Sequence, residues 1–387
     1  MSASRRTILH AFSTFALGGA QARFVELANA MSGEGFLHRI VAMDDRYEAG
    51  ERLSPGLAWE ALRVANRRGG GLANRARFRE LLRREKPDLL LSYNWGAIEW
   101  AAANTPAVAE HLHVEDGFGP DEAQGQLPRR VWTRRALLGW RRVPVIVASR
   151  RLESAALSEW HLPPSRVAFI PNGVDFDGIA ARRARHARRM ERMGTGGPET
   201  VIGTVAGLRA EKNIARLIRA FSSVCRDFPA RLAIVGDGPE RTALERLARD
   251  SGAGSAIEFT GYLKDPLAAL VEFDLFALSS DTEQLPIAML EAMACGMPVV
   301  ATDVGDVGLI VPAAARGCLA RPDDASFERA LRHALEHGNE WEAWGKAGAE
   351  RVRKEYSRQN MLNAWRAVFR GDWREVFRQR LDQRKMA

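Results

Sequence analysis

Two glutamates eight positions apart, Glu283 and Glu291, have the spacing in this sequence that most directly suggests chemistry. Between them, Pro286 stands where a helix is predicted to begin, because its missing N–H is not needed at the first helical position. The run from Leu285 to Ala294 predicts a short buried helix, which a glycine and a proline then end. Glu283 would lie in the loop before this helix, and Glu291 about two turns inside it. This arrangement suits a ligand with hydroxyls at both ends and phosphates in the middle.

The alternative is that the two acids are a helix-end charge and an unrelated buried polar residue. Further motifs in the chain argue against it: Gly18-Gly19-Ala20-Gln21, Asn172-Gly173-Val174-Asp175, the stretch 203–221 with Glu211-Lys212-Asn213, and Gly236-Asp237-Gly238-Pro239. With the Glu-x7-Glu stretch, they resemble in order and spacing the retaining glycosyltransferases of the family 4 type, which have the GT-B fold. The resemblance covers nearly the whole chain.

The resemblance implies an α/β protein with two Rossmann-like domains that face each other across a cleft, and a C-terminal helix that crosses back to the first domain. We predict an acceptor-side domain over 1–176, a linker over 177–199, a nucleotide-sugar-binding domain over 200–357 and the returning helical segment over 358–387. The predicted linker is polar, rich in arginine and ends in Gly-Thr-Gly-Gly-Pro. Such composition is typical of domain boundaries.

The elements that must position the two acids belong to parallel α/β sheets, because each half alternates short apolar runs with helical patterns. In the first half, strands are predicted at Thr7–Phe12, His38–Met43, Pro87–Tyr93 and Val143–Ser149. In the second half, they are predicted at Thr200–Ala206, Arg231–Val235, Ile257–Thr260, Leu275–Ser279 and Pro298–Thr302. Ligands of open α/β sheets bind at the carboxyl ends of the strands.

The resemblance implies that Glu291 holds the ribose hydroxyls of the donor and Glu283 the hydroxyls of the transferred sugar. Lys212 would supply a point charge for the diphosphate. Gly18 and Gly19 would let the backbone approach the phosphates without a Cβ clash. Without the resemblance, a lone lysine or glycine pair is ordinarily a surface charge or a plain turn. The other predicted donor-binding residues are Gly207, Gly236, Gly261, Tyr262, Leu263, Gln284, Leu285, Pro286 and Ile287, with the N–H groups of 284–287 as a helix-terminal anion site.

One cation departs from the family pattern. The family commonly has an arginine where this chain has Gly207, whereas here an arginine, Arg209, stands two residues later. We expect Arg209 to reach the diphosphate from that neighbouring position. The alternative is that Lys212 acts with backbone groups alone, which matters because electrostatic stabilisation is usually a large contribution to catalysis.

His113 lies at the end of an apolar–polar alternation that predicts a strand. The resemblance places a histidine here, close to the anomeric carbon and the acceptor, and Asn94, Glu115 and Asp116 are expected on the acceptor side. A lone histidine is more often structural, but several titratable groups crowd this stretch. The resemblance implies substitution on one face of the sugar, with the leaving phosphate oxygen taking the acceptor's proton. We therefore expect His113 to position the acceptor or sugar rather than to act as a nucleophile.

The net charge of +8 comes from arginine, and eight arginines but no acid lie within residues 126–152. Trp132, Ala136 and Trp140 form a stripe through this basic segment on a helical wheel. The segment is either a solvated basic face or a surface that docks on an anionic membrane. The three cysteines have no close pairing, which favours a reducing compartment. With no apolar run near the roughly 20 residues that span a bilayer, we expect a cytoplasmic protein, peripheral at the inner face of the cell membrane.

Together these observations predict a hexosyltransferase that uses a nucleoside diphosphate sugar, with UDP as the first expected nucleotide and GDP as the second. The resemblance implies transfer without a metal or other cofactor, to a glycan or lipid-linked acceptor in envelope polysaccharide or glycolipid synthesis such as lipopolysaccharide. No nucleic acid partner is expected. Zinc hydrolases and esterases lack their motifs here, and a dehydrogenase would leave the second half unexplained. A GT-B nucleotide-sugar epimerase and a non-catalytic nucleotide-sugar- or membrane-binding protein remain alternatives.

Overall fold

The computed structural model describes residues 5–65, 71–118, 122, 125–193 and 199–386. The chain forms two compact units: Met1–Pro171 together with Met361–Ala387, and Asn172–Asn360. Each unit contains one parallel sheet with helices, which confirms the predicted fold class. The chain passes between the units at residues 171–172 and 360–361, whereas the sequence predicts boundaries after 176 and 357.

The sheet of the first unit has seven parallel strands in the order β3-β2-β1-β4-β5-β6-β7. The strands are β1 Arg6–Phe12, β2 Phe36–Ala42, β3 Trp59–Ala61, β4 Leu89–Tyr93, β5 Glu110–Glu115, β6 Val145–Val147 and β7 Val167–Phe169. The chain order reverses between β1 and β4, which are neighbours in the sheet. Ligands of such sheets bind at this switch point, outside the carboxyl ends of the strands.

Helices cover both faces of this sheet, and the described helices before residue 160 are α1 Gly19–Ala30, α2 Gly71–Glu85, α3 Glu99–Ala103, α4 Pro128–Arg134 and α5 Arg150–Ser158. A π-helical segment, Arg135–Trp140, continues α4. On one face Phe78 and Trp100 stack at 4.5 Å between ring centroids. On the other face, Phe12 of β1 contacts Phe24 of α1 with 5.8 Å between ring centroids, and both are almost completely buried.

The second unit has six parallel strands in the order β10-β9-β8-β11-β12-β13. They are β8 Thr200–Val205, β9 Ala230–Val235, β10 Ile257–Gly261, β11 Leu275–Leu278, β12 Val299–Thr302 and β13 Leu319–Ala320. Here the order reverses between β8 and β11. The loops that follow these two strands carry Lys212 and Glu283, so the topology brings them to the same edge of the sheet.

The described helices of the second unit are α6 Phe176–Met193, α7 Ile214–Val224, α8 Arg241–Asp250, α9 Leu267–Leu270, α10 Ile287–Ala294, α11 Val307–Ile310, α12 Asp324–Glu336 and α13 Trp341–Glu355. Helix α6 runs through most of the predicted linker 177–199. Its run of alanine and arginine favours helix, and Ile179 is 3% exposed, so this segment is part of the folded unit. The Gly-Thr-Gly-Gly-Pro end of the predicted linker lies outside the described residues. Short 3₁₀ turns occur at Glu48–Arg52, Trp95–Ala97, Pro164–Arg166, Ala210–Lys212, Gly254–Ala256, Ala313–Cys318 and Gly338–Glu340.

The C-terminal helices α14 Arg358–Arg370 and α15 Trp373–Met386 return the chain to the first unit, as predicted for this fold. Trp365, Phe369 and Phe377 are buried in the core that contains Phe12 and Phe24. Each buried aromatic side chain is worth about 1.5–3 kcal/mol relative to exposure, so this segment is an integral part of the first unit. In the described part of the chain, no helix combines the length and apolar character needed to cross a lipid bilayer.

Candidate active site

Lys212 is held at the carboxyl edge of the second sheet by a short turn. It ends the 3₁₀ turn Ala210–Lys212, and Asn213 follows in the left-handed region at φ 42°. The side-chain oxygen of Asn213 accepts a hydrogen bond from the backbone N–H of Arg216 at 3.2 Å. Asparagine is a preferred N-cap residue, and its short polar side chain tolerates this backbone conformation. The cap fixes where α7 begins and thereby positions Lys212.

Glu283 accepts two hydrogen bonds at one of its carboxylate oxygens. The ammonium Nζ of Lys212 lies 2.5 Å from Oε1 of Glu283, and the hydroxyl of Ser280 donates to the same oxygen at 2.8 Å. The side chains of Lys212 and Glu283 are 19% and 11% exposed. Among the described residues, the other oxygen of Glu283, Oε2, has no hydrogen-bond partner. One oxygen is therefore fixed by the protein, and the other remains available to a ligand hydroxyl.

The two loops that carry this pair are joined by further hydrogen bonds. The backbone N–H of Asp281 donates to the carbonyl of Glu211 at 2.9 Å. The hydroxyl of Ser279 donates to the carbonyl of Lys212 at 3.1 Å. The side-chain amide of Asn213 donates to both carboxylate oxygens of Asp281, at 3.1 and 3.2 Å. Lys212 and Glu283 are thus held together by their backbones as well as by their charges.

A third loop supports the backbone of Glu283 from behind. At Gly305, φ is +60° and an added Cβ would lie 2.2 Å from the carbonyl oxygen of Glu283. The backbone N–H of Asp306 donates to the carbonyl of Gln284 at 3.1 Å, and the hydroxyl of Thr302 donates to the carbonyl of Ser280 at 2.6 Å. Only glycine permits the approach at position 305.

The glycine-rich turn after β9 packs directly on the loop that follows β8. At Gly236, φ is +136° and a Cβ would lie 1.8 Å from the carbonyl oxygen of Ala206. A Cβ at Gly238 would lie 2.4 Å from the carbonyl of Leu208. Backbone packing therefore requires these glycines, whatever ligand is bound. At Gly207, a Cβ would make only ordinary contacts, the nearest at 3.6 Å.

The neighbouring loop after β10 carries the remaining predicted donor positions. Gly261 has φ +75° and accepts a hydrogen bond from the N–H of Gly236 at 2.9 Å. Tyr262 is 68% exposed, and Leu263 is half-buried. The topology thus brings the loops after β8, β9, β10 and β11 to one edge of the sheet.

Arg209 does not join the Lys212–Glu283 pair. Its guanidinium pairs with Glu211 at 3.0 Å, and its side chain is 60% exposed. Its expected contact with a diphosphate stays a prediction.

The helix that carries Glu291 begins later than the sequence predicts. Pro286 has an extended ψ of 104° and precedes α10, whose first residue is Ile287. Gln284 and Leu285 therefore belong to the loop, and Pro286 lacks an N–H. Glu291 is the fifth helical residue, little more than one turn inside α10 rather than two.

In the first unit, the predicted glycines lie at the start of α1. Gly18 precedes the helix with φ −162° and ψ 176°, and no side chain caps this end. A Cβ at Gly18 would lie 2.8 Å from Oε1 of Gln21, whereas a Cβ at Gly19 would have no protein atom within 4 Å. The space next to Gly19 is open, as the predicted close approach of a phosphate requires.

Asn94 and Asp116 meet at the carboxyl ends of β4 and β5. The backbone N–H of Asp116 donates to the side-chain oxygen of Asn94 at 2.7 Å. The guanidinium of Arg23, on α1, donates to Oδ2 of Asp116 at 2.9 Å. Burial raises the pKa of Asp116, against the opposing effect of Arg23. Sequence reasoning missed Arg23, whose only signal is an arginine next to the apolar residues Phe24 and Val25.

His113 belongs to a buried network. Its Nδ1 lies 2.9 Å from the hydroxyl of Ser92, and its Nε2 lies 3.2 Å from Oε2 of Glu115. Ser92, His113 and Glu115 are completely buried, so this serine, histidine and glutamate are not a solvent-accessible nucleophilic triad. Both ring nitrogens of His113 have partners within the protein, and its role toward a substrate stays a prediction.

The network continues on both sides of His113. Nε2 of His111 lies 2.8 Å from the Ser92 hydroxyl, and burial, with a smaller effect of the neighbouring His113, lowers the pKa of His111 to about 3. Nη2 of Arg134 lies 3.4 Å from Oε1 of Glu115. Within the described ranges, no group of three or more His, Cys, Asp or Glu side chains is placed to hold a metal ion.

Two family models match the chain in succession. "Glycosyltransferase Family 4" matches residues 17–177, and "Glycosyl transferases group 1" matches residues 189–351. The first covers most of the first unit and the second most of the second unit.

Among curated relatives, the GDP-mannose-dependent alpha-(1-6)-phosphatidylinositol monomannoside mannosyltransferase of Mycolicibacterium smegmatis is 34% identical over 228 residues, 50% of this chain and 59% of the relative. The sulfoquinovosyl transferase SQD2 of Arabidopsis thaliana is 28% identical over 70% of this chain and 54% of its own length. The chain thus spans somewhat more than half the length of these two curated relatives.

Among solved structures, Anabaena Alr3699/HepE in complex with UDP has a TM-score of 0.75 at 17% identity, over 94% of this chain and all of that chain. This likeness shows the fold. With both family models matched in order, one on each parallel-sheet unit, this chain belongs to the glycosyltransferases of the family 4 type, which have the GT-B fold.

Proposed function

We propose that this protein is a retaining glycosyltransferase that moves a hexose-like sugar from a nucleoside diphosphate to a hydroxyl of a glycan or lipid-linked acceptor. UDP is the first candidate nucleotide and GDP the second. The Anabaena structure contains UDP, and the mycobacterial relative is named for GDP-mannose, so both nucleotides occur among similar proteins.

The observation that supports the proposal best is the Lys212–Glu283 pair at the carboxyl edge of the second sheet. Lys212 provides the positive charge that a diphosphate needs, and Glu283 has one oxygen without a partner among the described residues. Glu291 follows on α10 as the residue for the ribose hydroxyls. A cation beside a carboxylate with an unpartnered oxygen matches a ligand whose phosphates adjoin a sugar.

The proposed reaction breaks the bond between the anomeric carbon and the diphosphate oxygen, and it forms a bond from the acceptor oxygen to the same face of that carbon. The acceptor's proton passes to the leaving phosphate oxygen. Lys212 and the backbone N–H groups before α10 stabilise the negative charge that grows on the diphosphate. Glu283 holds the transferred sugar by its hydroxyls, and His113 positions the sugar or acceptor from the first unit. None of these side chains needs a metal ion for its proposed role.

For the acceptor, we propose a glycan or lipid-linked intermediate of envelope polysaccharide or glycolipid synthesis. The names of both curated relatives refer to glycolipid chemistry or sulfosugar transfer. A lipid-linked acceptor places the enzyme at the inner face of the cell membrane as a peripheral protein.

The test is to incubate the purified full chain with a panel of UDP- and GDP-sugars, with and without glycan and lipid-linked acceptors. Nucleotide release that depends on an acceptor, with the anomeric configuration retained, supports the proposal. Release without an acceptor, with an altered sugar, would instead identify an epimerase. Binding without release would identify a non-catalytic binder.

Two matched variants connect the activity to the site. Glu283→Ala removes the carboxylate beside Lys212, whereas Glu272→Ala removes an exposed carboxylate of the same unit. We expect turnover to fall by about a hundredfold in the first variant, a typical size for the loss of one transition-state contact. The second variant should keep wild-type turnover. Equal activity of the two variants would contradict the assignment.

A further inference from the structure

Two tryptophans of the first unit lie on its surface and contact each other. Trp132 on α4 is 60% exposed and Trp140 is 74% exposed. Their ring centroids are 5.7 Å apart and their planes are 82° apart. Tryptophan is usually largely buried, so an exposed pair in mutual contact indicates an interaction surface.

The π-helical segment brings the two rings together. In a continuous α-helix, residues eight positions apart are rotated by about 80° around the axis. Here Trp140 ends the π-helical segment Arg135–Trp140, whose wider turns change that rotation so that the rings meet edge to face. Single π-helical turns are rare in proteins, and many of those that do occur lie at functional sites.

Three of the eight arginines in the basic segment pair with acids of the first unit. Arg134 is completely buried and pairs with Glu122 at 3.1 Å. Arg130 also pairs with Glu122, at 2.9 Å, and Arg150 pairs with Glu153 at 2.7 Å. Acids of the same unit compensate the charges of these three arginines, although the Arg150 side chain is 41% exposed.

Three other arginines, here called the outward arginines, flank the tryptophan pair. Arg129 is exposed and lies three positions before Trp132, so both project from the same side of α4. Arg141 is half-buried and Arg142 is exposed. In the part of the chain that the structure describes, none of the three has an acidic partner. The Arg142 charge also acts on Arg166, whose pKa is lowered chiefly by burial and then by Arg142, so positive charge is concentrated beside Trp140.

We propose that Arg129, Trp132, Trp140, Arg141 and Arg142, here called the Trp–Arg surface, dock on an anionic lipid bilayer. Tryptophan rings favour the depth of the lipid headgroups, where one end of the ring is apolar and the other is wet. Arginines next to them are attracted to anionic lipids. This inference deepens the membrane contact of the proposed function by assigning it to particular side chains.

Two other occupants fit the surface less well. A sugar ring stacks on an open, flat aromatic face, but here the edge of one ring covers a face of the other, and a neutral glycan gives the arginines no counter-charge. A second copy across a two-fold axis would bring two copies of the same positively charged patch together, and like charges repel. An anionic bilayer satisfies both the apolar and the charged side chains.

The test measures sedimentation of the full chain with vesicles of phosphatidylcholine, with and without about one third phosphatidylglycerol. One variant combines Arg129→Gln, Arg141→Gln and Arg142→Gln. Its control, with the same net charge, combines Arg83→Gln, Arg246→Gln and Arg321→Gln, three exposed arginines elsewhere. A second variant, Trp132→Ala with Trp140→Ala, has Leu72→Ala as its control, since Leu72 is 78% exposed.

We expect the arginine variant to bind anionic vesicles about a hundredfold more weakly, because each basic residue near such a surface changes partitioning roughly fivefold. The tryptophan variant should bind at least roughly tenfold more weakly. Both controls should bind like the wild type. Unchanged partitioning of either variant would overturn the proposal. A change in oligomeric state or in glycan binding, without a change in vesicle binding, would also overturn it.

The same variants should bind UDP or GDP as the wild type does, because the Trp–Arg surface lies in the first unit and the Lys212–Glu283 pair in the second. Loss of vesicle binding with intact nucleotide binding separates this inference from the proposed function. If the wild type binds vesicles but releases no nucleotide, the surface is upheld and the transferase proposal fails.

Discussion

Ser280 should contribute to turnover although it is too deeply buried to touch a substrate. It is 1% exposed, and its hydroxyl donates to Oε1 of Glu283 at 2.8 Å. A hydrogen bond to a charged group is worth about 1.5–3 kcal/mol. Because Lys212 still holds the same oxygen in Ser280→Ala, we take the lower end of this range. That corresponds to a fall in kcat of about tenfold, since about 1.4 kcal/mol is a factor of ten.

The effect should appear in kcat rather than in nucleotide affinity, because Ser280 acts only through the residue expected to hold the transferred sugar. The assay is steady-state nucleotide release with the donor found in the panel, and nucleotide binding is measured separately. A double-mutant cycle makes the test specific. In the Glu283→Ala background, Ser280→Ala should cost nothing further, because the hydrogen bond is already absent.

Two results would refute this reasoning. Additive losses in the cycle would mean that Ser280 does not act through Glu283. A wild-type kcat in Ser280→Ala alone would mean that Lys212 is sufficient to orient the carboxylate. Thermal unfolding of each variant serves as the control, because a folding defect would lower the active fraction without changing the KM or the kcat of the folded enzyme.

The other predictions concern the second carboxylate and the buried histidines. Glu291→Ala should chiefly weaken nucleotide binding, measured by calorimetry, while Glu283→Ala should lower turnover with less effect on nucleotide affinity; near-wild-type kinetics of both would remove the assignment. His38 is buried beside His10, with 3.0 Å between their ring nitrogens, and burial lowers the pKa of His38 to about 4. The unfolded chain binds a proton at His38 near pH 6.5, whereas the folded chain does not. Burial of neutral His38 therefore contributes to the stability of the fold above that pH, and this contribution is lost as the pH falls toward 4. At about pH 5 the wild type has lost about 2 kcal/mol of its free energy of unfolding. Between about pH 8 and 5, the free energy of unfolding of His38→Asn should therefore fall by about 2 kcal/mol less than that of the wild type, measured by hydrogen exchange of β1 peptides. His161→Gln, an exposed control, should follow the wild type, and equal pH dependence of His38→Asn and wild type would contradict the role of burial.

Most of the central strands could be predicted from the sequence, because a strand buried on both faces leaves a run of apolar residues. The strands that no pattern predicted are β3, β7 and β13, which are two or three residues long and lie at sheet edges. Such short segments fit a helix or loop pattern equally well. The start of α10 was predicted too early because Pro286 has the φ of a helix but an extended ψ.

Glu283, Lys212 and the glycine turns could be identified because each belongs to a short run of defined spacing. The residues that contact these side chains or position the neighbouring loops could not be identified from the sequence. Arg23 and Asp116 are 93 positions apart in the chain, and nothing near either residue in the sequence indicates the other. Lys212 and Glu283 are themselves 71 positions apart, and they meet because the topology puts β8 next to β11. Contacts of this kind follow from the fold rather than from local pattern, so sequence reasoning finds candidate ligand-binding residues before it finds the residues that orient them.

The basic segment shows why charge counted along a sequence overestimates the charge of a surface. Arg134 is completely buried, with its guanidinium carbon 5.0 Å from the ring centroid of Trp160, and a buried arginine requires an acid because an unpaired charge in that position costs several kcal/mol. The acid, Glu122, lies just before the acid-free run and so escapes a count restricted to residues 126–152. Neutralising Arg134 would therefore leave Glu122 and Glu115 buried with less compensation and would test folding rather than membrane binding. The outward arginines give the cleaner experiment, because they can be replaced without disturbing the ion pairs that hold the first unit together.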